Sequence, residues 1–599
     1  MSINFSQKAS TSHDLHTLIQ NLYEISQKCQ QLIFESLFSQ HSYMSHSADP
    51  LNVKSAIFES FEKLSQHPEV FHKVKIGYLE DTLKLWDETL RRYMGENLSE
   101  TISPEKEDQR FSDQAWSQNI VFNYVKQMYL IFTKWSVFTI ENIPFESEEH
   151  KKKAIFHTRF WLEAISPNNF IFTNPEVIKA TIESNGKNLH EGLLNLKKDI
   201  EAGNGQLQIS MTDTSAFQVG ENIAITPGKV IFRNELIELI HYEPSTSKQN
   251  QEPLLFIPPW INKFYILDLQ QKNSFVKWVI DHGYSVFMIS WVNPSKKHRH
   301  ISFEDYLKLG PLAAISTIQK ITGHMHLHCV GYCIGGTLLS ILNAYLTKHK
   351  KDYIRSATYL ASMVDFSQAG DLSVFIDEKQ LKLIDKKMSE KGVFADQDMA
   401  MSFQFIRARD LIWSFVIHNY LLGKKPLAFD LLFWNSDSTS MPAKMHHDYL
   451  YNMYHENKLV VPNALRFLDT DIDLHSIQTP SFILGSKDDH ITPWKAVYKA
   501  MNIYQGKNIF CLSSSGHIAG VINPPHAQKY GYWSNDIAAD IDDDWLQKAK
   551  HTSGSWWPKW ISWLKEQSCS KLIQAHKPGA HKEFPEVERA PGSYVKNKP

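Results

Sequence analysis

His326-Leu-His-Cys-Val-Gly-Tyr-Cys-Ile-Gly-Gly-Thr337 is the stretch on which the reading of the whole chain turns. Its apolar start reads as a short buried strand, its middle as a sharp turn, and its end as the start of a helix running from Thr337 to about Leu346. Gly331, Cys333 and Gly335 stand in a G-x-C-x-G arrangement. A nucleophile held on a strained strand-to-helix turn leaves no room for side chains two positions away on either side, which is where the glycines stand. Such a turn exposes the Cys333 sulfur at a helix N-terminus, where the dipole favours thiolate and backbone N–H groups face the reacting centre. Cys329, inside the strand, reads as core.

The bulk properties agree with an ordinary globular protein. At 599 residues the chain is too long for one core, so two domains are expected. Hydrophobic content of 42%, charged content of 21% and net charge −2 exclude a disordered chain and supply no basic field for nucleic acid. Five scattered cysteines fit a reducing cytosol rather than a disulfide framework. Met1-Ser-Ile-Asn-Phe-Ser-Gln-Lys8 lacks the apolar core of a signal peptide, and no run of apolar residues is long enough to span a membrane. The sixteen Trp and 34 Phe imply a thick core or an apolar surface for a hydrophobic partner.

Outward from the elbow, apolar runs alternate with helical patterns. Strand-like segments are 224–232, 236–242, 254–257, 285–290, 356–364, 481–484 and 509–512, with helix candidates at 274–281 and 306–322. This rhythm predicts a parallel sheet built from βα units, with the site at the strands' carboxyl ends. Between about 366 and 475 the rhythm stops, and a helical, aromatic-rich segment reads as a cap that excludes water and binds an acyl chain. Residues 1–214 read as a mainly helical N-terminal domain. Its first 60 residues form a loosely packed or mobile leader with weak helical periodicity between Leu15 and Leu37. Phe122, Val125, Met128, Tyr129 and Phe132 recur on one helical face and read as core. Residues 215–599 form the catalytic domain.

A Cys nucleophile needs a base, and the base needs an acid to orient it. In α/β-hydrolases the order along the chain is nucleophile, acid, histidine, and this chain supplies that order. The strand at 481–484 runs into a loop holding Asp488 and Asp489. The next strand ends at Gly516 and His517. Cys333, Asp489 and His517 are the candidate triad of an α/β-hydrolase fold. Asp488 and Asp365 remain open as the acid, and His490 as the base. The oxyanion donors fall on the N–H of Ile334 and on a second N–H near Trp260 or Ile261. His324, His326 and His328 alternate on a strand, a pattern that also occurs in zinc sites, but no nearby carboxylate completes a ligand set.

With these residues in hand, the chain closely resembles the poly(3-hydroxyalkanoate) synthases, and class I most of all, over roughly residues 105–599. The stretches that carry the resemblance include Arg110-Phe-Ser-Asp-Gln-Ala-Trp116, Ser166-Pro-Asn-Asn-Phe170, Pro258-Pro-Trp-Ile-Asn262, Gly331-Tyr-Cys-Ile-Gly-Gly336, Asp489-His-Ile-Thr-Pro-Trp494, Gly516-His-Ile-Ala-Gly520 and Gly554-Ser-Trp-Trp-Pro-Lys-Trp560. Carried over by position, the family's catalytic Cys, Asp and His fall on Cys333, Asp489 and His517. The resemblance implies polymerisation of (R)-3-hydroxyacyl-CoA, 3-hydroxybutyryl-CoA and other short chains foremost, with release of CoA through a covalent acyl-Cys. It implies no cofactor and no metal, a homodimer, and a cytoplasmic enzyme on the surface of polyester granules beside granule-associated proteins. One departure is visible: Ser295 follows Asn293-Pro294 where the family usually has Asp. The competing readings are a Cys-dependent thioesterase of the same fold and, from another class, a non-catalytic granule coat.

Overall fold

The computed structural model describes residues 53–105, 108–205, 207–535 and 542–598. Most of the expected leader, residues 1–52, lies outside them. The chain divides into two compact units. One runs to Met211 and takes in Gln404–Leu427; the other comprises Thr212–Phe403 and Ala428–Pro599. The segment read as one cap is therefore split, because its middle packs with the helical unit.

The helical unit contains α1 (Val53–Gln66), α2 (Pro68–Tyr93), α3 (Ile120–Asn142), α4 (Glu148–Ala164), α5 (Pro175–Glu183) and α6 (Lys187–Ala202). Its starts follow side-chain capping. Asn119 accepts the Val121 and Phe122 amides, Ser147 the His150 amide, and Asn174 the amides of Glu176 and Val177 behind Pro175 at the first helical position. The Arg110–Asn119 stretch is local architecture. Arg110 forks onto Asp108 and reaches the Tyr129 hydroxyl, while Trp116 is buried edge-on against Phe111. The stripe expected to bury Phe122 and Phe132 is only partly inside, and Phe132 is 44% exposed. The buried face of α3 instead carries Asn123, Lys126, Gln127, Leu130 and Ile131. A periodicity count misses these polar positions because the Glu100 carboxylate satisfies Asn123, Lys126 and Gln127 together.

The second unit is built on an eleven-stranded sheet. Its strands are β1 (Gly228–Arg233), β2 (Ile237–Tyr242), β3 (Leu254–Ile257), β4 (Val286–Trp291), β5 (Leu327–Tyr332), β6 (Ile354–Leu360), β7 (Ser481–Ser486), β8 (Asn508–Ser513), β9 (Gly531–Asn535), β10 (Lys550–Ser553) and β11 (Glu588–Arg589), in spatial order 10-9-8-7-6-5-3-4-2-1-11. The six strands from β8 to β4 are parallel, and antiparallel strands extend both edges. Sequence analysis did not anticipate β9, β10 or β11, which are short; β9 and β11 are only partly buried and β10 is exposed along its whole length. The parallel strands are apolar runs because both faces are covered. Leu255 and Ile257 point into one core cluster, and Leu254 and Phe256 into the other. The second cluster absorbs much of the tryptophan. Trp556, Trp557 and Trp560, at the start of α11 (Trp557–Gln567, numbered after α7 Phe275–Asp281, α8 Ala313–Thr322, α9 Ile334–Lys348 and α10 Glu378–Lys391), surround Phe275.

Candidate active site

The elbow is built as its glycines require. Cys333 has φ 52° and ψ −126°, a conformation costly for a residue with a Cβ, and its amide is held by the Leu360 carbonyl at 2.9 Å. A Cβ on Gly331 would come within 2.5 Å of the Gly336 Cα, and one on Gly335 within 2.1 Å of the Ile257 carbonyl oxygen. The helix, α9, begins at Ile334 rather than Thr337, so Cys333 sits directly at its N-terminus.

Strand register brings the other two residues together. β7 and β8 pair in parallel with Ser486 opposite Ser513, so the loops carrying Asp489 and His517 leave the same sheet edge side by side. His517 Nδ1 lies 2.6 Å from Asp489 Oδ2. Asp489 is fully lined with donors: the Ile491 and Thr492 amides on Oδ1 at 2.9 and 2.8 Å, and the Thr492 hydroxyl on Oδ2 at 2.7 Å. Burial alone would raise the Asp489 pKa. The charge of His517 and these hydrogen bonds outweigh it and hold the carboxyl below its ordinary range. Burial opposes protonation of His517, but the negative charge of Asp489, and then that of a Cys333 thiolate, hold the imidazole pKa well above its ordinary value.

β8 lies three strands from β5, roughly 14 Å across the sheet, so the His517 loop must be drawn back to Cys333 and held there. Tyr332, the residue before the cysteine, donates its hydroxyl to the His517 carbonyl at 3.0 Å and stacks on the imidazole at 5.5 Å. The indoles of Trp556 and Trp557 hold the carbonyls of Gly520 and Val521 at 2.9 and 3.0 Å. Thr492, Tyr332 and these two tryptophans were not singled out as site residues. Their only signal was that they stand inside the motif stretches.

Cys333 and His517 open onto one cavity whose free space is about 70 Å³ and whose walls are mostly apolar. Residues 107–279 match the N-terminal region of poly-beta-hydroxybutyrate polymerase (PhaC), and residues 252–521 the alpha/beta hydrolase fold. The chain is 44% identical to the poly(3-hydroxyalkanoate) polymerase of Methylorubrum extorquens, over 86% of this chain and 85% of that one. It is 37% identical to the poly(3-hydroxyalkanoate) polymerase subunit of Cupriavidus necator, over 89% of each. The chain belongs to the poly(3-hydroxyalkanoate) polymerase family. Among solved structures, a putative lipase from Sulfolobus solfataricus is similar at 11% identity over 57% of this chain and 97% of that one, with a TM-score of 0.32.

The remaining candidates separate by position. Ile334 and Ile261 both line the cavity, as do Thr492 and Tyr332. Asp488 is exposed. Asp365 is engaged elsewhere, by Asn457 at 3.0 Å and Lys499 at 3.1 Å. His490 is not among the cavity's lining residues. The three histidines before the elbow do not converge. His324 meets Gln251, His326 meets Asp352, and His328 is buried between Ser356 and Ser568, where burial lowers its pKa to about 3. Ser295 is exposed and caps the short turn 296–298, outside the cavity lining. Cys329 and Cys511 are buried, and burial pushes both thiols up. Phe366, Leu372, Phe403, Tyr449 and Tyr454, from the part of 366–475 that belongs to this unit, roof the cavity.

Proposed function

We propose that this protein polymerises (R)-3-hydroxyacyl-CoA, short chains such as 3-hydroxybutyryl-CoA foremost, into polyhydroxyalkanoate with release of CoA. Cys333 is the nucleophile, His517 the base and Asp489 the acid that orients it. The observation that carries the reading is a single imidazole, bound to Asp489 at 2.6 Å, that opens onto the same cavity as the Cys333 sulfur. Membership in the polymerase family supports the choice of transfer to a hydroxyl over hydrolysis.

His517 takes the thiol proton as Cys333 attacks the thioester carbonyl. The oxyanion is met by the Ile334 and Ile261 N–H groups at the start of α9 and after β3. The C–S bond to CoA breaks, and the CoA sulfur leaves with the proton held by His517. A thioester replaces a thioester, so the acyl group stays activated. A second monomer's 3-hydroxyl then gives its proton to His517 and attacks acyl-Cys333, forming the ester and freeing the thiolate. The apolar roof keeps water, the competing acceptor, from the acyl-enzyme. We extend the reading to a cytoplasmic, granule-associated homodimer, on family membership. No helix among the described residues is long and apolar enough to cross a membrane.

One incubation tests this. Purified protein with (R)-3-hydroxybutyryl-CoA is expected to give insoluble polyester and one free CoA per monomer consumed. Soluble 3-hydroxybutyrate as the product would assign the site to a thioesterase instead.

A further inference from the structure

The loop after β3 lies against the elbow: a Cβ on Gly335 would meet both the Ile257 and the Pro258 carbonyl oxygens, at 2.1 and 2.8 Å. Three side chains hold this loop by its carbonyls. The Trp291 indole donates to the Pro258 carbonyl at 2.9 Å, the Thr439 hydroxyl to the Trp260 carbonyl at 2.5 Å, and the Trp434 indole to the Lys263 carbonyl at 2.6 Å, and all three bonds are buried. Trp434 and Thr439 come from one short stretch, the helix Asp430–Ser436 and the residues just after it.

The Trp260 carbonyl and the Ile261 N–H belong to one trans peptide unit. Such a unit is planar, and its C=O and N–H point in opposite directions. A hydroxyl that fixes the carbonyl on one side therefore fixes where the N–H points on the other. Accepting a hydrogen bond at the carbonyl also polarises the peptide and strengthens its N–H as a donor. Ile261 lines the cavity together with Cys333 and Ile334. Its N–H meets no acceptor among the described residues, an uncommon state for a backbone donor inside a fold and the one an oxyanion requires. Thr439 is itself held in place. It is 5% exposed, and the next residue, Ser440, gives its N–H to the Asn293 side-chain oxygen at 3.0 Å.

We infer, on the Cys333 mechanism proposed above, that Thr439 is a positioning residue of the oxyanion hole: by holding the Trp260 carbonyl it aims the Ile261 N–H at the thioester oxygen. Thr439→Val keeps the shape and deletes the donor. Removing an oxyanion donor outright costs about 100- to 1000-fold in kcat, so a donor peptide that is freed rather than removed should cost roughly 10- to 100-fold. KM for 3-hydroxybutyryl-CoA should stay within about threefold of wild type, because the contact is made only in the transition state. Thr439→Ser should restore kcat. Thr439→Cys, whose thiol is a weak donor, should fall between serine and valine, and the comparison of serine with cysteine serves alone where the valine variant does not fold. Wild-type kcat in the valine or cysteine variant overturns the inference. So does a rise in KM that accounts for the whole loss, which would make Thr439 a wall of the substrate cavity. The readout is CoA release, which polymerisation and hydrolysis share. A lowered kcat with soluble 3-hydroxybutyrate as the product would therefore support the role of Thr439 while overturning the polymerase reading.

Discussion

Thr492→Val removes one hydroxyl from the site and little else. That hydroxyl donates to Asp489 Oδ2 at 2.7 Å and lies 3.1 Å from His517 Nδ1. A hydrogen bond to a charged group contributes about 1.5–3 kcal/mol. If all of it were needed only in the transition state, CoA release would fall roughly 10- to 150-fold. It is not, because Asp489, held below the ordinary carboxylate range, is ionised both before and during the reaction. Most of the loss should therefore appear as stability, about 1.5–3 kcal/mol in a urea unfolding curve, with kcat/KM reduced about tenfold or less. The sign of the pH effect follows. A carboxylate short of a donor is more basic and holds the imidazolium more firmly. The inactive, fully protonated site then persists to higher pH, and the acidic limb of the rate profile moves up. The assay is initial CoA release from 3-hydroxybutyryl-CoA across pH, beside unfolding curves. Thr492→Ser, which keeps the hydroxyl, should restore the limb. Wild-type stability and an unmoved limb in Thr492→Val, or a serine variant as impaired as the valine one, would refute the reasoning.

Cys333→Ala should abolish CoA release while leaving the unfolding curve near wild type, and turnover by this variant removes the sulfur from the scheme. His517→Gln should lose acylation and elongation alike when CoA release and polymer are followed together; an active variant shifts the base to His490. Asp489→Asn should slow CoA release and move the acidic limb down, because the charge that raises the His517 pKa is gone; a limb that stays in place means the imidazole does not depend on Asp489. Gly335→Ala should cost about 1–3 kcal/mol or more of stability, and most activity, since its Cβ would sit 2.1 Å from the Ile257 carbonyl oxygen; a fully active variant would mean that the elbow has slack.

Much of this protein is written locally. The elbow was legible because glycines two residues either side of a cysteine answer a steric demand made within a few residues, and Gly331 and Gly335 meet it at 2.5 and 2.1 Å. The parallel strands were legible because being covered on both faces leaves an unbroken apolar run. The order Cys333, Asp489, His517 was legible because each follows a strand of one sheet. What the sequence left undecided depends on groups distant along the chain meeting in space. Strand register sets Thr492 beside His517, a hydroxyl on Tyr332 draws a loop across three strands, and two indoles near the C-terminus hold that loop's carbonyls. Residues 404–427 sort with the helical unit because packing, not chain order, draws the boundary. Local sterics act through neighbouring residues and can be read along a line, whereas pairing across a sheet is a property of the closed structure.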